Sequence, residues 1–366
     1  MINKLNRVII ATGGTGGHIF PAYSLATHLA SKKINVELIS DKRGIRYLEN
    51  YNDIKITEIN SSTIFKKNIL KSFVSILIIL YSIFRSFIFL LSNKPNLVFG
   101  MGGYSSFPIC ISAKILRIPF IIYENNLHIG KTNRYLLPFA KKIFVSHSIL
   151  EGIPRKYENK ICEIGNIIRK EILNFKDNYY SNQKNEKLKI LILGGSQAAK
   201  IFAEKLPNIF KECNNTRIPI KIYQQCLPEQ ADFLRSFYKN LDLDFEIFSF
   251  SNNILKYFSK TNLVITRSGS SMLAELINVK IPFITIPLPT SADNHQLKNA
   301  MYYAKNQYSY LIEEKDLNKK LYKLIKLIHE DKTLLNQIRN AQKKYSDQFV
   351  FEKIDAEINK IINEKN

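Results

Sequence analysis

Two short runs of this chain hold side chains that could do chemistry. His18 follows Gly13-Gly14-Thr15-Gly16-Gly17, and that run comes directly after the apolar residues 7–12. A glycine-rich turn between a strand and a helix lets backbone approach a ligand closely, and the helix N-terminus favours an anion there. The same N-terminus disfavours an imidazolium, so His18 is expected to be neutral and able to take a proton from an attacking hydroxyl. The plain alternative is a histidine that caps the helix or orders the loop. The second run is Arg267-Ser268-Gly269-Ser270-Ser271, after the apolar residues 263–266. Small hydroxyl residues feeding a helix offer N–H groups without helical partners, a seat for a phosphate. Glu275 stands about one turn into that helix, within reach of sugar hydroxyls. After a further strand at 282–286, Asp293-Asn294-His295-Gln296 adds amide and imidazole groups, of which His295 reads equally well as a bystander. A phosphate seat, a carboxylate for a ribose and hydrogen-bonding groups for a sugar outline a nucleotide-sugar site.

The elements that must position these groups read as α/β units. Residues 7–12 (RVIIAT) form a first strand, followed by a helix from about residue 20 to 31 with Pro21 in its first turn, where a missing N–H costs nothing. The dinucleotide fingerprint is not satisfied, because Ile19 stands where its third glycine belongs; Asp41, after a strand at 36–40, could still mimic a ribose-binding acid. A strand at 96–99 leads into Gly100-Met101-Gly102-Gly103-Tyr104, a second glycine-rich turn opening a helix near Pro108 and a second phosphate seat. Another strand, 119–123, ends at Glu124-Asn125-Asn126. Residues 188–193 (LKILIL) and Gly194-Gly195-Ser196-Gln197 then repeat the opening pattern, which implies two similar α/β domains facing across a cleft. Ser196 serves either a phosphate or its own helix as N-cap. Further strands are read at 160–164 and 221–225, a polar surface loop at 175–187, and an amphipathic helix at 345–366. Asp242-Leu243-Asp244 has the spacing of a D-x-D metal motif, but no companion ligands or flanking pattern support a hard-cation site there.

Composition sets the bounds. The 366 residues, 45% hydrophobic and 23% charged, suit a two-domain globular protein. A formal net charge of +22 favours polyanions: a nucleic acid, an anionic bilayer or a diphosphate. Cys110, Cys162, Cys213 and Cys226 form no C-x-x-C pair and suit a reducing compartment, and the N-terminus carries no secretory signal, so a cytoplasmic location is expected. Within residues 69–92, the run 73–91 is almost wholly apolar, interrupted by Ser75, Ser82, Arg85 and Ser86. Their length permits a membrane span, but a span would separate the loops at Gly13 and Gly100 across the bilayer. A helix at the membrane interface, with Lys66, Lys67, Lys71 and Arg85 toward headgroups, fits better; a core helix over the sheet stays open for much of its surface.

The runs GGTGGH, GMGGY, Glu124-Asn125-Asn126, GNIIR (165–169), GGSQ and RSGSSMLAEL with IPLPTSADNHQ occur in an order that resembles the MurG family of lipid II-forming glycosyltransferases. The resemblance implies a GT-B-type fold of two Rossmann-like domains. Residues 1–166, with a helix at 345–366 returning to pack on them, would be the acceptor and membrane-associating domain, and 167–344 the UDP-sugar-binding domain. It implies transfer of N-acetylglucosamine from UDP-GlcNAc, with inversion, to the 4-hydroxyl of the muramyl sugar of lipid I. His18 would be the base, and Glu124 would help position the acceptor or, in second place, act as the base; an exposed strand-end carboxylate is the plain reading of Glu124. The donor would meet Thr15, Gly16, Gly17, Asn126, Arg169, Ser196 and Ser251, then Ser270, Ser271, Met272, Leu273, Ala274 and Glu275, with Gln296 on the sugar. The acceptor's diphosphate would lie against Gly14, Gly102, Gly103 and Tyr104. The chain departs from the pattern at Ile167, where proline is usual, at Ala199 for a glycine, and at Ser251 for an apolar residue. No metal is required, with room left for a loosely bound Mg²⁺ on the diphosphate. The expected partners are UDP-GlcNAc, lipid I and the anionic cytoplasmic face of the plasma membrane, as a peripheral protein, and no nucleic acid. Two alternatives remain: another GT-B enzyme with a glycolipid acceptor, and a basic nucleic-acid-binding protein, for which no recognition motif is present.

Overall fold

β1 (Arg7–Ala11) is buried along almost its whole length because helices cover both faces of a parallel sheet, and a strand in that position reads as a continuous apolar run. In the computed structural model, which describes residues 5–49, 51–59, 69–175, 187–195, 200–249, 251 and 253–363, it is the organising strand of a seven-stranded sheet. The others are β2 (Asn35–Ser40), β3 (Lys55–Glu58), β4 (Leu97–Gly100), β5 (Phe120–Glu124), β6 (Lys142–Val145) and β7 (Ile161–Glu163). All pairs are parallel, in the order β3-β2-β1-β4-β5-β6-β7. A second sheet is built the same way from β8 (Leu188–Leu193), β9 (Ile220–Gln225), β10 (Asp244–Phe248), β11 (Leu263–Thr266), β12 (Phe283–Thr285) and β13 (Tyr310–Leu311). Its order is β10-β9-β8-β11-β12-β13, again all parallel. The chain therefore divides into two compact units, 1–170 with 347–366, and 171–346.

In each sheet the strand order reverses beside the first strand, and in open α/β sheets ligands bind beyond the carboxyl ends of the strands at that reversal. Register decides which loops meet there. Ala11 pairs with Gly100, so the loops after β1 and β4 leave side by side, and Met101 N–H donates to Ala11 O at 2.8 Å. Thr266 pairs with Leu193, which brings the loops after β8 and β11 together in the second unit.

The sequence reading did not include β3, β6, β10 or β13, and two helices differ from it in extent. The first helix begins at Gly16, a turn earlier than expected, which puts Pro21 inside it. The C-terminal helix begins at Val350 instead of 345; it buries Phe351, Ile354, Ile358 and Ile361, with Phe351 stacked on His28 (4.4 Å) and Asp355 accepting from His28 Nε2 at 3.0 Å. The edge strand β3 was not anticipated, because its polar residues serve a buried acid. Thr57 Oγ1 donates to Glu37 at 2.6 Å and Lys55 Nζ lies 3.1 Å from the same carboxylate, which Arg7 meets from the other side at 3.3 Å.

Candidate functional site

In the first unit the two glycine-rich loops are built into one another. Gly103 has φ +77, and a Cβ on it would stand 2.4 Å from the carbonyl oxygen of Gly13. Gly102 has φ +86, and its Cβ would stand 2.8 Å from both Nδ1 and Cε1 of His18. Only a residue without a side chain satisfies both the left-handed backbone and the contact. The Nδ1 edge of the His18 ring thus lies against the second loop, and the edge carrying Nε2 turns away from Gly102. Gly14 has φ +88 with open space where its Cβ would be, and its N–H donates to Asp41 Oδ1 at 3.1 Å. Tyr104, beside these loops, is 39% exposed.

Asp41 is committed to this architecture. The same Oδ1 accepts from Gly44 N–H at 2.9 Å, capping the short helix Lys42–Ile45, and Arg43 pairs with Oδ2 at 3.1 Å. Burial pushes the carboxyl up, but the N–H groups of Gly14 and Gly44 and the Arg43 guanidinium outweigh it and hold the pKa below the ordinary carboxylate value.

His18 is the third residue of the Gly16–Ser31 helix, whose N-cap is the extended Thr15. Pro21 inside that helix has no N–H for the carbonyl one turn back, that of Gly17. Asn125 Nδ2 supplies the missing donor, to Gly17 O at 3.0 Å. The turn after β5 is thereby tied to the helix that carries His18.

Glu124 is neither exposed nor open. It is 3% accessible, with Oε1 accepting from the backbone N–H and Nδ2 of Asn126 at 3.1 and 2.9 Å. Its Oε2 accepts from Gly130 N–H at 2.8 Å and Asn133 Nδ2 at 3.0 Å. Four donors occupy the carboxylate, so its local effect is to fix the Glu124–Gly130 turn and aim Asn126. Arg169 leaves the buried run Ile164–Ile168 and sets its guanidinium over Phe20, 5.4 Å from the ring centre. Phe20 lies 3.0 Å from where a Cβ on Gly16 would be, so this cation is held beside the first turn of the helix.

In the second unit, Gly269 is the extended N-cap of the helix Ser270–Asn278. Ser270, Ser271 and Met272 make its first turn, the N–H groups that a helix leaves for other partners. Leu273 and Ala274 are fully buried, and Leu273 N–H is already donated to Gly269 O at 3.1 Å. Their side chains serve the core. Glu275, in the second turn, is 6% exposed. Arg267, expected in the turn, points inward: Nη1 donates to Ile286 O and Pro287 O at 3.1 and 3.2 Å, Nη2 pairs with Glu314, and the guanidinium covers Phe202. Asn299 Nδ2 donates to Ser268 O at 3.2 Å, locking the glycine turn to the helix His295–Lys305. Gln296 is half-buried, and its Oε1 accepts from Leu288 N–H at 3.0 Å. His295 Nδ1 bonds back to Ala292 O at 2.7 Å. Ser251 follows the carboxyl end of β10, and Ser196 lies outside the described residues. Asp244 of the D-x-D sequence is instead a cross-strand partner of Lys221 at 3.1 Å.

Positioning residues without a motif of their own were missed: Asn125, Asn133 and Asn299 act through side-chain amides on distant carbonyls or carboxylates. Their only sequence signal is an amide at a strand end or helix start.

The helix Ile69–Asn93 packs one face on its unit and exposes the other. Ser75, Ser82 and Ser86 face inward at no more than 1% exposure, while Phe73 and Phe84 are 61% exposed and Leu77, Leu80, Tyr81 and Leu91 all exceed 50%. Ser82 and Ser86 hydroxyls return to the carbonyls of Ile78 (2.7 Å) and Ser82 (2.6 Å), so the inward face is small and satisfied. It packs on the helix Ser106–Ile115, whose Ser112 Oγ donates to Ile83 O at 2.9 Å. The helix from Phe73 to Asn93 is long and apolar enough to cross a membrane by length and composition, but one face is bound to the unit. Nearby, Ile115 and Phe139 are exposed and Lys114 Nζ lies 6.0 Å over the Phe139 ring.

Residues 8–145 match the glycosyltransferase family 28 N-terminal domain and residues 189–355 its C-terminal domain. The UDP-N-acetylglucosamine–N-acetylmuramyl-(pentapeptide) pyrophosphoryl-undecaprenol N-acetylglucosamine transferase of Pelagibacter ubique is 34% identical over 362 residues, 98% of this chain and 99% of that one. The enzyme of the same name from Rickettsia bellii is 33% identical, covering 93% and 96%. Among solved structures, Acinetobacter baumannii MurG superposes with a TM-score of 0.76 at 23% identity, covering 97% of this chain and 99% of that one. S. aureus MnaA bound to UDP follows with 0.71 at 17% identity, covering 98% and 97%. At these identities the two structures speak to the fold alone, a pair of parallel-sheet α/β domains.

Proposed function

The chain belongs to glycosyltransferase family 28, in its MurG branch, and from that membership we propose the following reading of its activity and site. It transfers N-acetylglucosamine from UDP-GlcNAc to the 4-hydroxyl of the N-acetylmuramyl sugar of a polyprenyl-diphosphate-linked acceptor, lipid I, giving lipid II. The attacking oxygen forms its bond to the anomeric carbon as the bond to the UDP oxygen breaks, inverting that centre. His18 takes the hydroxyl proton through the ring edge that turns away from Gly102. The negative charge that develops on UDP is stabilised by the first-turn N–H groups of Ser270–Asn278, and Arg169 is assigned to the diphosphate. Glu275 accepts from the ribose and Gln296 donates to the sugar. Asn126 contacts the transferred sugar, and Glu124 contributes by holding it in place. Gly14, Gly102, Gly103 and Tyr104 form the acceptor's diphosphate seat.

The observation that carries this reading is the interlocked pair of glycine loops at the strand-order reversal of the first sheet, with His18 pressed against Gly102. Two phosphate-type loops and a histidine in one place suit an acceptor that brings both a diphosphate and a hydroxyl to deprotonate. The outward apolar face of Ile69–Asn93 suits the same acceptor, whose lipid keeps it in a bilayer, and we place the enzyme peripherally on the anionic cytoplasmic face of the plasma membrane.

The test is transfer of labelled N-acetylglucosamine from its UDP donor to a lipid I analogue, with His18→Ala and Glu275→Ala alongside wild type. His18→Ala should lower kcat by about 10²–10⁴-fold with little change in donor KM, and Glu275→Ala should raise donor KM. A folded wild type that binds UDP-GlcNAc but transfers nothing to lipid I would refute the acceptor assignment.

A further inference from the structure

We propose that Tyr123 and Asp347 are positioning residues for Arg169: between them they hold the two backbone N–H groups that set the direction of the chain into it. Residues 164–168 form a buried segment beyond the end of β7: the N–H groups of Ile164 and Gly165 still donate to Val145 O, at 3.0 and 3.3 Å, and the next two turn to side chains. Asn166 N–H donates to Asp347 Oδ1 at 2.8 Å, and Asn166 Nδ2 to Asp347 Oδ2 at 3.2 Å. Gly165, with φ +97, lets the carboxylate come so close that a Cβ there would stand 2.6 Å from Oδ1. One residue on, Ile167 N–H donates to Tyr123 Oη at 3.0 Å. Two consecutive peptides are thus fixed by side chains from two separate elements, β5 and the lead-in to the C-terminal helix. Two residues later the Arg169 guanidinium lies over Phe20, beside the first turn of the His18 helix.

The bond to Tyr123 exists because position 167 is isoleucine. A proline there would restrict the same backbone through its ring and would have no N–H to give. In this chain the Tyr123 hydroxyl supplies a restraint that the ring would otherwise provide. That hydroxyl is buried, with Ser146 Oγ at 3.3 Å as its second partner; burial pushes its pKa far up, so it stays a neutral group able to accept the N–H.

The proposal rests on the reading that Arg169 meets the donor's diphosphate, and the experiment separates the two. Donor KM, acceptor KM and kcat are measured on the full-length enzyme for Arg169→Ala, Tyr123→Phe, Asp347→Ala, Asp347→Asn, Ile167→Pro and the Tyr123→Phe/Ile167→Pro double variant. Thermal melts confirm folding. Arg169→Ala should raise donor KM by about tenfold or more, as expected for loss of a charged phosphate contact. Tyr123→Phe and Asp347→Ala should each raise donor KM about three- to tenfold and leave acceptor KM alone. Asp347→Asn, which keeps an oxygen for Asn166 N–H, should recover most of that loss. In the Ile167→Pro background Tyr123→Phe should add nothing, because the N–H it served is gone; a general packing defect would be the same in both backgrounds. If Tyr123→Phe fails to fold, Asp347→Ala against Asp347→Asn carries the comparison. Unchanged donor KM in Tyr123→Phe and Asp347→Ala, with a large effect of Arg169→Ala, overturns the positioning role. Unchanged donor KM in Arg169→Ala overturns the phosphate reading, and the proposal with it.

Discussion

Gly103→Ala should cost this protein far more than Gly14→Ala, although both glycines have left-handed backbones and neither side belongs to a helix or strand. At Gly14 an added Cβ meets nothing within 4 Å, so only the backbone term applies, about 1 kcal/mol. At Gly103 the same term is joined by a contact 2.4 Å from Gly13 O and 2.9 Å from Gly13 C. Those are main-chain atoms, which cannot rotate away like a side chain, so one loop must shift. Overpacking of this kind costs about 1–3 kcal/mol more, giving about 2–4 kcal/mol in all. For a unit of this size each kcal/mol lowers the thermal midpoint by about 2–4 °C. Scanning calorimetry should therefore show a fall of about 5–15 °C for Gly103→Ala and about 2–4 °C for Gly14→Ala. The same shift of the loop moves Gly102 against His18, so kcat should fall as well, even at temperatures where the variant is folded. Equal midpoints for the two variants would refute the claim that the loops hold each other.

Three further outcomes follow from the packing. His147, after β6, is 8% exposed and burial lowers its pKa from 6.5 to about 4; the unfolded chain then takes up the proton first, so stability should be lost as pH falls from about 6.5 to about 4, by up to about 3 kcal/mol. His147→Gln should flatten that part of a urea-denaturation pH series, and an unchanged slope would rule the residue out. Asn125→Ala removes the amide that donates to the Gly17 carbonyl and should destabilise by about 1–3 kcal/mol in chemical denaturation, whereas a neutral result would mean that this bond does not hold the turn to the helix. Leu80→Glu with Phe84→Glu should reduce flotation with anionic phospholipid vesicles at least about tenfold, since each exposed side chain is worth about 1–2 kcal/mol on burial in lipid, and should leave turnover of a short-chain soluble acceptor intact. Undiminished flotation would place the membrane contact elsewhere.

Much of this protein could be read from the chain alone, and for a local reason. Strands buried on both faces must be apolar throughout, so RVIIA, LVFG, LKILIL and LVIT announce themselves, and glycine after such a run marks where backbone must turn or be approached. The candidate loops, His18 and the serine-rich turn at 268–271 follow from that short-range logic. Two of the edge strands did not follow from it: β3 spends Lys55 and Thr57 on the buried Glu37, and β10 opens on an acid that pairs across the sheet with Lys221.

Only the tertiary structure decided what the polar residues do, because their partners are far away in sequence. Glu124 has the type and place of a base, yet four donors gathered by the turn make it an anchor. Arg267 sits in a motif that suggests a ligand, yet its guanidinium closes on two strand-end carbonyls and Glu314. Pro21 looked like a helix start, and its place inside a helix is sustained by Asn125 from the turn after β5. The apolar composition of Ile69–Asn93 was plain in the sequence, but that the serines face in and the large side chains face out depends on which surface of the helix the Ser106–Ile115 helix occupies. A periodicity fixes how a chain can fold locally; which face is covered, and which donor reaches which acceptor, is settled only when the elements meet.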